Sequence, residues 1–465
     1  MKYSILFLFL FLALNLNAQN YQPNWESLDK RPVPQWFEDS KFGIFIHWGV
    51  YSVPAWGPTG DSIGVYDKYA EWYWRKMDQP GKVLKYFREF HLKTYGPNLK
   101  YQDFAPMFKA ELFDPEQWAE LFKESGAKYI VLTSKHHEGF TLWPSAQSWN
   151  WNSVDIGPHR DLCGDLTTAV KKQGLHMGFY YSLYEWYNPI YKSDLISYVD
   201  NHMIPQMKDL VIRYTPDILW TDGEWDKSSK EWKSEAFLTW LYNESPVKEN
   251  IVVNDRWGSE TRSKHGGIYT TEYGLIGDKE GIDNSVPHQW EECRGIGTSF
   301  GYNRNENLND YSTPEQLIKL LVSTVSAGGN LLLDIGPAAD GTIPVIMQQR
   351  LLEIGKWLKI NGEAIYGTRA FIRSKKDEAI NTETNKTIFF TQKNKDVYVI
   401  CLDWPKSDIF LKGLKPINKS KVQLLGTDRS VAVKKAGSNL VITPPVLTPD
   451  DNQLAYVFKV SGLNF

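Results

Sequence analysis

A chain of 465 residues is long enough for a large catalytic domain plus a smaller one. Its 52 basic and 55 acidic residues leave a formal charge of −3, and no basic stripe stands out, which argues against nucleic acid as a partner. Nineteen Trp and 25 Tyr are many for this length and hint at carbohydrate, whose C–H faces pack on flat rings, although most such rings simply fill cores.

Residues 1–18 read as a secretory signal. Lys2 gives a positive start, the apolar run ends at Leu14, too short to span a bilayer, and Ala18 marks the cleavage point. Export to a periplasmic, extracellular or lysosome-like compartment follows. No Cys comes directly after Ala18, so a lipoprotein is disfavoured, and no later run is long enough for membrane insertion. Cys163, Cys293 and Cys401 are far apart and form no disulfide framework or C-x-x-C pair. Free buried thiols are expected, with one bridge left open.

Short apolar runs at 42–47, 129–133, 177–181, 218–222, 251–254, 268–272 and 330–335 predict strands buried on both faces. Amphipathic stretches at 114–125, 166–173, 315–326 and 345–361 predict helices between or after them. The alternation predicts a (β/α)8-like, TIM-type barrel over 19–366, with one strand irregular or missed. Beyond Gly367, alternating segments at 387–391, 397–402, 422–425, 440–443 and 454–460 predict an antiparallel β-sandwich domain over 367–465.

Two predicted strands end on carboxylates. Asp222 shares a strand face with Ile218 and Trp220 and sits at the C-terminal end, where barrel enzymes hold their chemistry. A nucleophilic carboxylate suits that place, and so does a helix cap; Glu224 is its rival. Glu272 closes the 268–272 strand, where an acid/base or a solvent-facing Glu are both readable. His47, His136 and His137 follow strands, but no H-x-H or HExxH spacing supports a metal. Neutral imidazoles binding sugar hydroxyls fit better. Glu71-Trp72 pairs a carboxylate with an indole, in a sugar clamp or an ordinary surface loop. Arg256 suits a carboxylate partner, catalytic or structural. No phosphate loop, G-x-G-x-x-G or G-x-S-x-G appears, so no nucleotide cofactor and no serine hydrolase is expected.

Taken in order, these blocks resemble the α-L-fucosidases of glycoside hydrolase family 29. The resemblance rests on Lys41–Gly49 (KFGIFIHWG), Tyr69–Tyr73 (YAEWY), Lys135–Phe140 (KHHEGF, with Glu138 where Asp is common), Gly178–Ser182 (GFYYS), Leu219–Asp222 (LWTD), Trp290–Cys293 (WEEC), Ser299–Asn303 (SFGYN) and Gly328–Pro337 (GGNLLLDIGP). It implies an exo-acting retaining α-L-fucosidase without metal or cofactor, acting on a fucosylated oligosaccharide or glycoconjugate. It implies Asp222 as nucleophile, and His47, Glu71, Trp72, His136, His137, Tyr180, Trp220 and Arg256 around the fucose, with Phe300 against the C5 methyl. The acid/base is Glu272 or, placed on a long loop, Glu291; the strand end favours Glu272. The alternatives are a secreted fucose-binding protein without turnover and a galactoside-type exo-glycosidase on the same barrel. An apolar Phe300 speaks for fucose. Linkage preference and any homo-oligomer stay open.

Overall fold

The computed structural model describes residues 20–78, 84–276, 279–280, 288–371, 388–411, 415–437, 439–448, 451 and 453–464. The signal segment expected at 1–18 lies outside the described residues.

Eight parallel strands curl into a barrel. In chain order they are β1 (Phe42–Ile46), β2 (Tyr129–Lys135), β3 (His176–Ser182), β4 (Ile218–Asp222), β5 (Val252–Val253), β6 (Tyr269–Glu272), β7 (Trp290–Gly295) and β8 (Asn330–Ile335). Pairing runs β5-β4-β3-β2-β1-β8-β7-β6. The two edges meet through the parallel bridge Asn254↔Ile268, with Ile268 N–H donating to the Val253 carbonyl at 2.9 Å. Closure leaves no open edge.

Helices α1 (Pro115–Glu124), α2 (Leu162–Lys172), α3 (Ile204–Tyr214), α4 (Ser234–Asn243), α5 (Pro314–Ser326) and α6 (Val345–Asn361) cover much of the outside. Their starts are encoded locally. Asp114 caps α1, and Thr313 with Gln316 forms a reciprocal capping box at α5, each followed by a Pro pre-set for the first turn. Helices α3 and α4 were not expected from the sequence.

The barrel interior is filled by Phe45, Val131, Tyr180, Ile218, Trp220, Val252, Ile268, Cys293 and Leu332, each from alternate strand positions. At its N-terminal end the Tyr129 ring fills the lumen, and only a glycine fits opposite: a Cβ on Gly43 would lie 2.3 Å from that ring.

β7 is the strand missing from the apolar pattern. Its sequence is Trp-Glu-Glu-Cys-Arg-Gly, and Glu291 points into the lumen. There Glu291 accepts hydrogen bonds from the Tyr129 hydroxyl at 2.5 Å and the Trp220 indole at 3.0 Å. A satisfied buried carboxyl thus takes a place where hydrophobicity was expected.

The C-terminal region forms two antiparallel sheets. One has Arg369–Ala370, Ile388–Lys393, Asp396–Cys401, Tyr456–Asn464 and Lys415–Leu424; the other has Ile409–Leu411, Asn439–Thr443 and Ala432–Ala436. Val397, Val399, Phe458 and Val460 of the first face Leu411, Leu440 and Ile442 of the second, a sandwich core. The sandwich is held on the barrel by Trp357, whose indole donates to the Ala455 carbonyl at 2.9 Å, and by Arg369, paired with Glu38 and Asp39. All three cysteines are free and buried. Among the described residues no helix is long and apolar enough to cross a membrane.

Burial pushes the Glu291 carboxyl up to about 7, against its two hydrogen bonds and Arg256. An unfolded Glu titrates near ~4.3, so between the two values the folded chain keeps a proton that the unfolded chain has released. This contribution is full below ~4.3 and is lost as pH rises through about 7. Glu291→Gln should flatten that slope. Denaturant unfolding at pH 5 and pH 7.5 should show a stability loss smaller in the variant by roughly 2 kcal/mol; an equal loss in both proteins would contradict it.

Candidate active site

Every singled-out side chain lies within the barrel or on the loops at the C-terminal ends of its strands. Asp222, Glu272 and Trp220 meet at Arg256, three residues past β5 and fully buried. One of its nitrogens, Nη1, donates to Asp222 Oδ1 at 2.8 Å and is ion-paired with Glu272 Oε1 at 2.6 Å. Two acceptors on one nitrogen are no farther apart than the two contacts end to end, about 5.4 Å. Nε donates to the Thr270 hydroxyl, which in turn donates to Asp255. The guanidinium plane lies over the Trp220 ring at 4.3 Å. The Thr221 hydroxyl donates to the Arg256 carbonyl at 2.7 Å and fastens this loop to β4.

The other oxygen of Asp222, Oδ2, accepts from the Tyr180 hydroxyl at 2.9 Å and faces His137 Nε2 at 3.6 Å. Burial alone would push the Asp222 carboxyl up, but Arg256 and the neighbouring Arg262 outweigh it and hold it well below the usual carboxylate range. Asp222 is therefore an anion across the physiological range. Glu224, its rival, is engaged elsewhere: Oε1 takes the Arg262 Nε–H at 2.8 Å. Glu291 does not reach this level. In the β6–β7 register it pairs with Thr270, two residues below Glu272, under the Trp220 indole. The expectation that it sits on a long loop is corrected; it is a lumen residue of β7.

The histidines form one wall. Burial pushes the imidazoles of His47 and His137 well below their ordinary value, so both are neutral. Ser182 donates its hydroxyl to the Tyr184 carbonyl at 2.6 Å, so the 2.7 Å contact with His137 is donated by His137 Nδ1–H. That tautomer leaves His137 Nε2 a bare acceptor beside Asp222. His47 Nδ1 is held by Asp334 at 2.6 Å, which keeps Nε2 for a ligand. His136 lies between them, 5.8 Å from His47 and 4.1 Å from His137 by ring centroids.

Phe300 closes one end. Its ring stacks on His47 at 5.0 Å and meets Tyr69 and Tyr273 edge-on at 5.2 and 5.8 Å. Glu71 is not on an open surface loop. It lies buried in the short helix Ala70–Trp72, and its Oε2 accepts from Gly301 N–H at 2.8 Å and Ser299 at 3.1 Å. It thereby clamps the two neighbours of Phe300. Trp72 meets His137 at 5.4 Å and Trp186 at 5.2 Å.

Several supporting residues were not foreseen: Asp334, Ser182, Thr270, Arg262, Trp186 and Trp225. Asp334 looked like an ordinary member of an apolar strand; a lone acid inside Leu-Leu-Leu-Asp-Ile was the available signal. Among the described residues no cluster of three or more His, Cys, Asp or Glu is arranged to hold a metal ion.

The arrangement can carry out displacement at a carbon between two carboxylates, with neutral acceptors for hydroxyl groups. A sequence profile described as "Alpha-L-fucosidase" matches residues 8–363, and one described as "Alpha-L-fucosidase C-terminal domain" matches 381–461. The α-L-fucosidase of Dictyostelium discoideum is 44% identical over the full length of both chains. The human tissue α-L-fucosidase is 43% identical, covering 96% of this chain and 92% of that protein. Among solved structures, a Thermotoga maritima α-L-fucosynthase in complex with α-L-Fuc-(1-2)-β-L-Fuc-N3 superposes with a TM-score of 0.80 at 39% identity, covering 95% of this chain and all of the other. The chain belongs to the α-L-fucosidase family, glycoside hydrolase family 29.

Proposed function

We propose that the α-L-fucosidase activity of this chain is carried by Asp222 as nucleophile and Glu272 as general acid/base. The observation that supports this reading is the shared Arg256 nitrogen, which keeps one oxygen of each carboxyl group within about 5.4 Å of the other, compatible with the roughly 5–5.5 Å of a retaining glycosidase. In the first step an Asp222 oxygen bonds to C1 of a terminal α-L-fucosyl residue. The C1–O bond to the aglycone breaks, and Glu272 gives its proton to the departing oxygen. In the second step Glu272 takes a proton from water, the water oxygen bonds to C1, and the bond to Asp222 breaks. Two inversions release α-L-fucose.

The substrate is a fucosylated oligosaccharide or glycoconjugate, cut from its non-reducing end. His47, His136 and His137 accept or share sugar hydroxyls, with Glu71, Trp72, Tyr180 and Trp220 completing the fucose pocket. Phe300 packs on the C5 methyl. The barrel at 19–366 carries the chemistry and the β-sandwich at 367–465 supports it. Residues 1–18 direct export.

Removing Asp222 should abolish turnover while leaving the pocket able to bind. Asp222→Gly is expected to lower kcat on an aryl α-L-fucoside roughly 10⁴-fold. Azide should restore cleavage and yield β-L-fucosyl azide, because it enters from the vacated face. Failure of azide to rescue, or an α-azide product, would remove Asp222 from the nucleophile role.

Phe300 should set specificity through its apolar contact. Phe300→Ser is expected to lower kcat/KM for the α-L-fucoside roughly tenfold and to narrow its advantage over the α-L-galactoside, which carries a hydroxymethyl at C5. An unchanged ratio between the two sugars would place the C5 substituent elsewhere.

A further inference from the structure

Three residues past the nucleophile the wall of the pocket reaches solvent at Trp225. A chain of neighbouring rings runs along this wall, buried up to its last member. Phe300 stacks on His47 at 5.0 Å, His47 meets His136 at 5.8 Å, His136 meets His137 at 4.1 Å, and His137 meets Trp225 at 5.1 Å. Phe300 and the three imidazoles are at most 5% exposed, whereas Trp225 is 38% exposed. The closed end and the mouth of the pocket are thus joined by one continuous aromatic wall, and Trp225 is its outer end.

The turn that presents this ring is rigid. Gly223 has φ +75°, and a Cβ there would lie 2.8 Å from Tyr184 Cβ and 3.0 Å from Ser182 Oγ, so the turn sits directly on the loop after β3. Glu224 is buried, with its carboxylate on Arg262 Nε at 2.8 Å and its carbonyl on the Trp232 indole at 3.1 Å. Trp225 leans on Trp72 at 5.7 Å and 34° and on Tyr184 at 6.1 Å. A large ring held in place from behind, left open in front and contiguous with a sugar pocket has the form of a stacking surface.

We propose that Trp225, backed by Trp72 and Tyr184, is the platform of an aglycone subsite that takes a pyranose ring, the sugar to which the fucosyl residue is attached. The proposal rests on the fucosidase reading of the pocket. Fucose fills the closed end against Phe300, so the rest of the glycan must leave through the mouth. There the C–H face of the next pyranose meets the indole. Trp225 is then a specificity-determining residue: it rewards a glycan substrate over one whose leaving group is too small to reach the mouth.

The test compares a fucosylated disaccharide with α-L-fucosyl fluoride, whose leaving atom cannot touch Trp225. Trp225→Ala should lower the disaccharide-to-fluoride ratio of kcat/KM roughly tenfold, the worth of one good ring contact. Trp225→Phe, which keeps a flat face, should hold most of that ratio. The inhibition constant of free L-fucose, measured on each variant, reads the closed end separately. An unchanged ratio in Trp225→Ala would overturn the proposal. So would an equal fall on both substrates with weakened fucose inhibition, which would put the indole in the fucose pocket instead. A wild-type protein that turned over neither substrate would overturn the fucosidase reading itself, a result distinct from either.

Discussion

The site depends on one buried cation. Arg256 is sealed under the pocket with its guanidinium on the Trp220 ring and one nitrogen shared between two carboxylates. Burying such a charge is costly unless it is paired and hydrogen-bonded, and here the pairing partners are the two groups proposed to react. A planar guanidinium with several fixed donors can hold Asp222, Glu272 and Thr270 at once; a lysine ammonium has no such fork. The double displacement proposed above would move one negative charge between the carboxylates, from Asp222 before the first step to Glu272 once Asp222 is esterified. Arg256 faces both, so in that scheme the cation would keep an anionic partner throughout the cycle.

Beneath that cation a column of side chains runs down the barrel axis. Glu291 and Tyr129 hold the Trp220 indole from below, Trp220 carries Arg256, and Arg256 carries the two acids. Around it the neutral imidazoles are each fixed by a partner behind them, Asp334 for His47 and Ser182 for His137. Preorganisation of this kind places acceptors and charges before a sugar arrives, so little reorganisation is left for the reaction itself.

Much of this was legible in the order of residues. Strand β1 is apolar throughout because both faces are buried, and an acid at the end of a mostly apolar run, as in Asp222, is conspicuous. Glu272 was legible as the acid that closes a short Thr-rich strand. β7 was not, because its lumen side carries Glu291, whose partners Tyr129 and Trp220 come from two distant strands. Helix α3 was overlooked behind a stretch of π-helix at Val199–Met203, which disturbs the amphipathic period. The partners of the histidines were hidden by ordinary identity: a serine and an aspartate on strands become meaningful only when the barrel closes. Glu71 was ambiguous between clamp and surface, and only the docking of Ser299 and Gly301 on its carboxylate decides its burial.

The spacing set by Arg256 makes a stereochemical claim that one experiment reads directly. Proton NMR of an aryl α-L-fucoside during the first minutes of cleavage resolves the anomer released before mutarotation. The account predicts that α-L-fucose appears first and the β anomer only later. Early accumulation of β-L-fucose would mean a single inversion, and would contradict the placement of Asp222 and Glu272 as nucleophile and acid/base on one guanidinium.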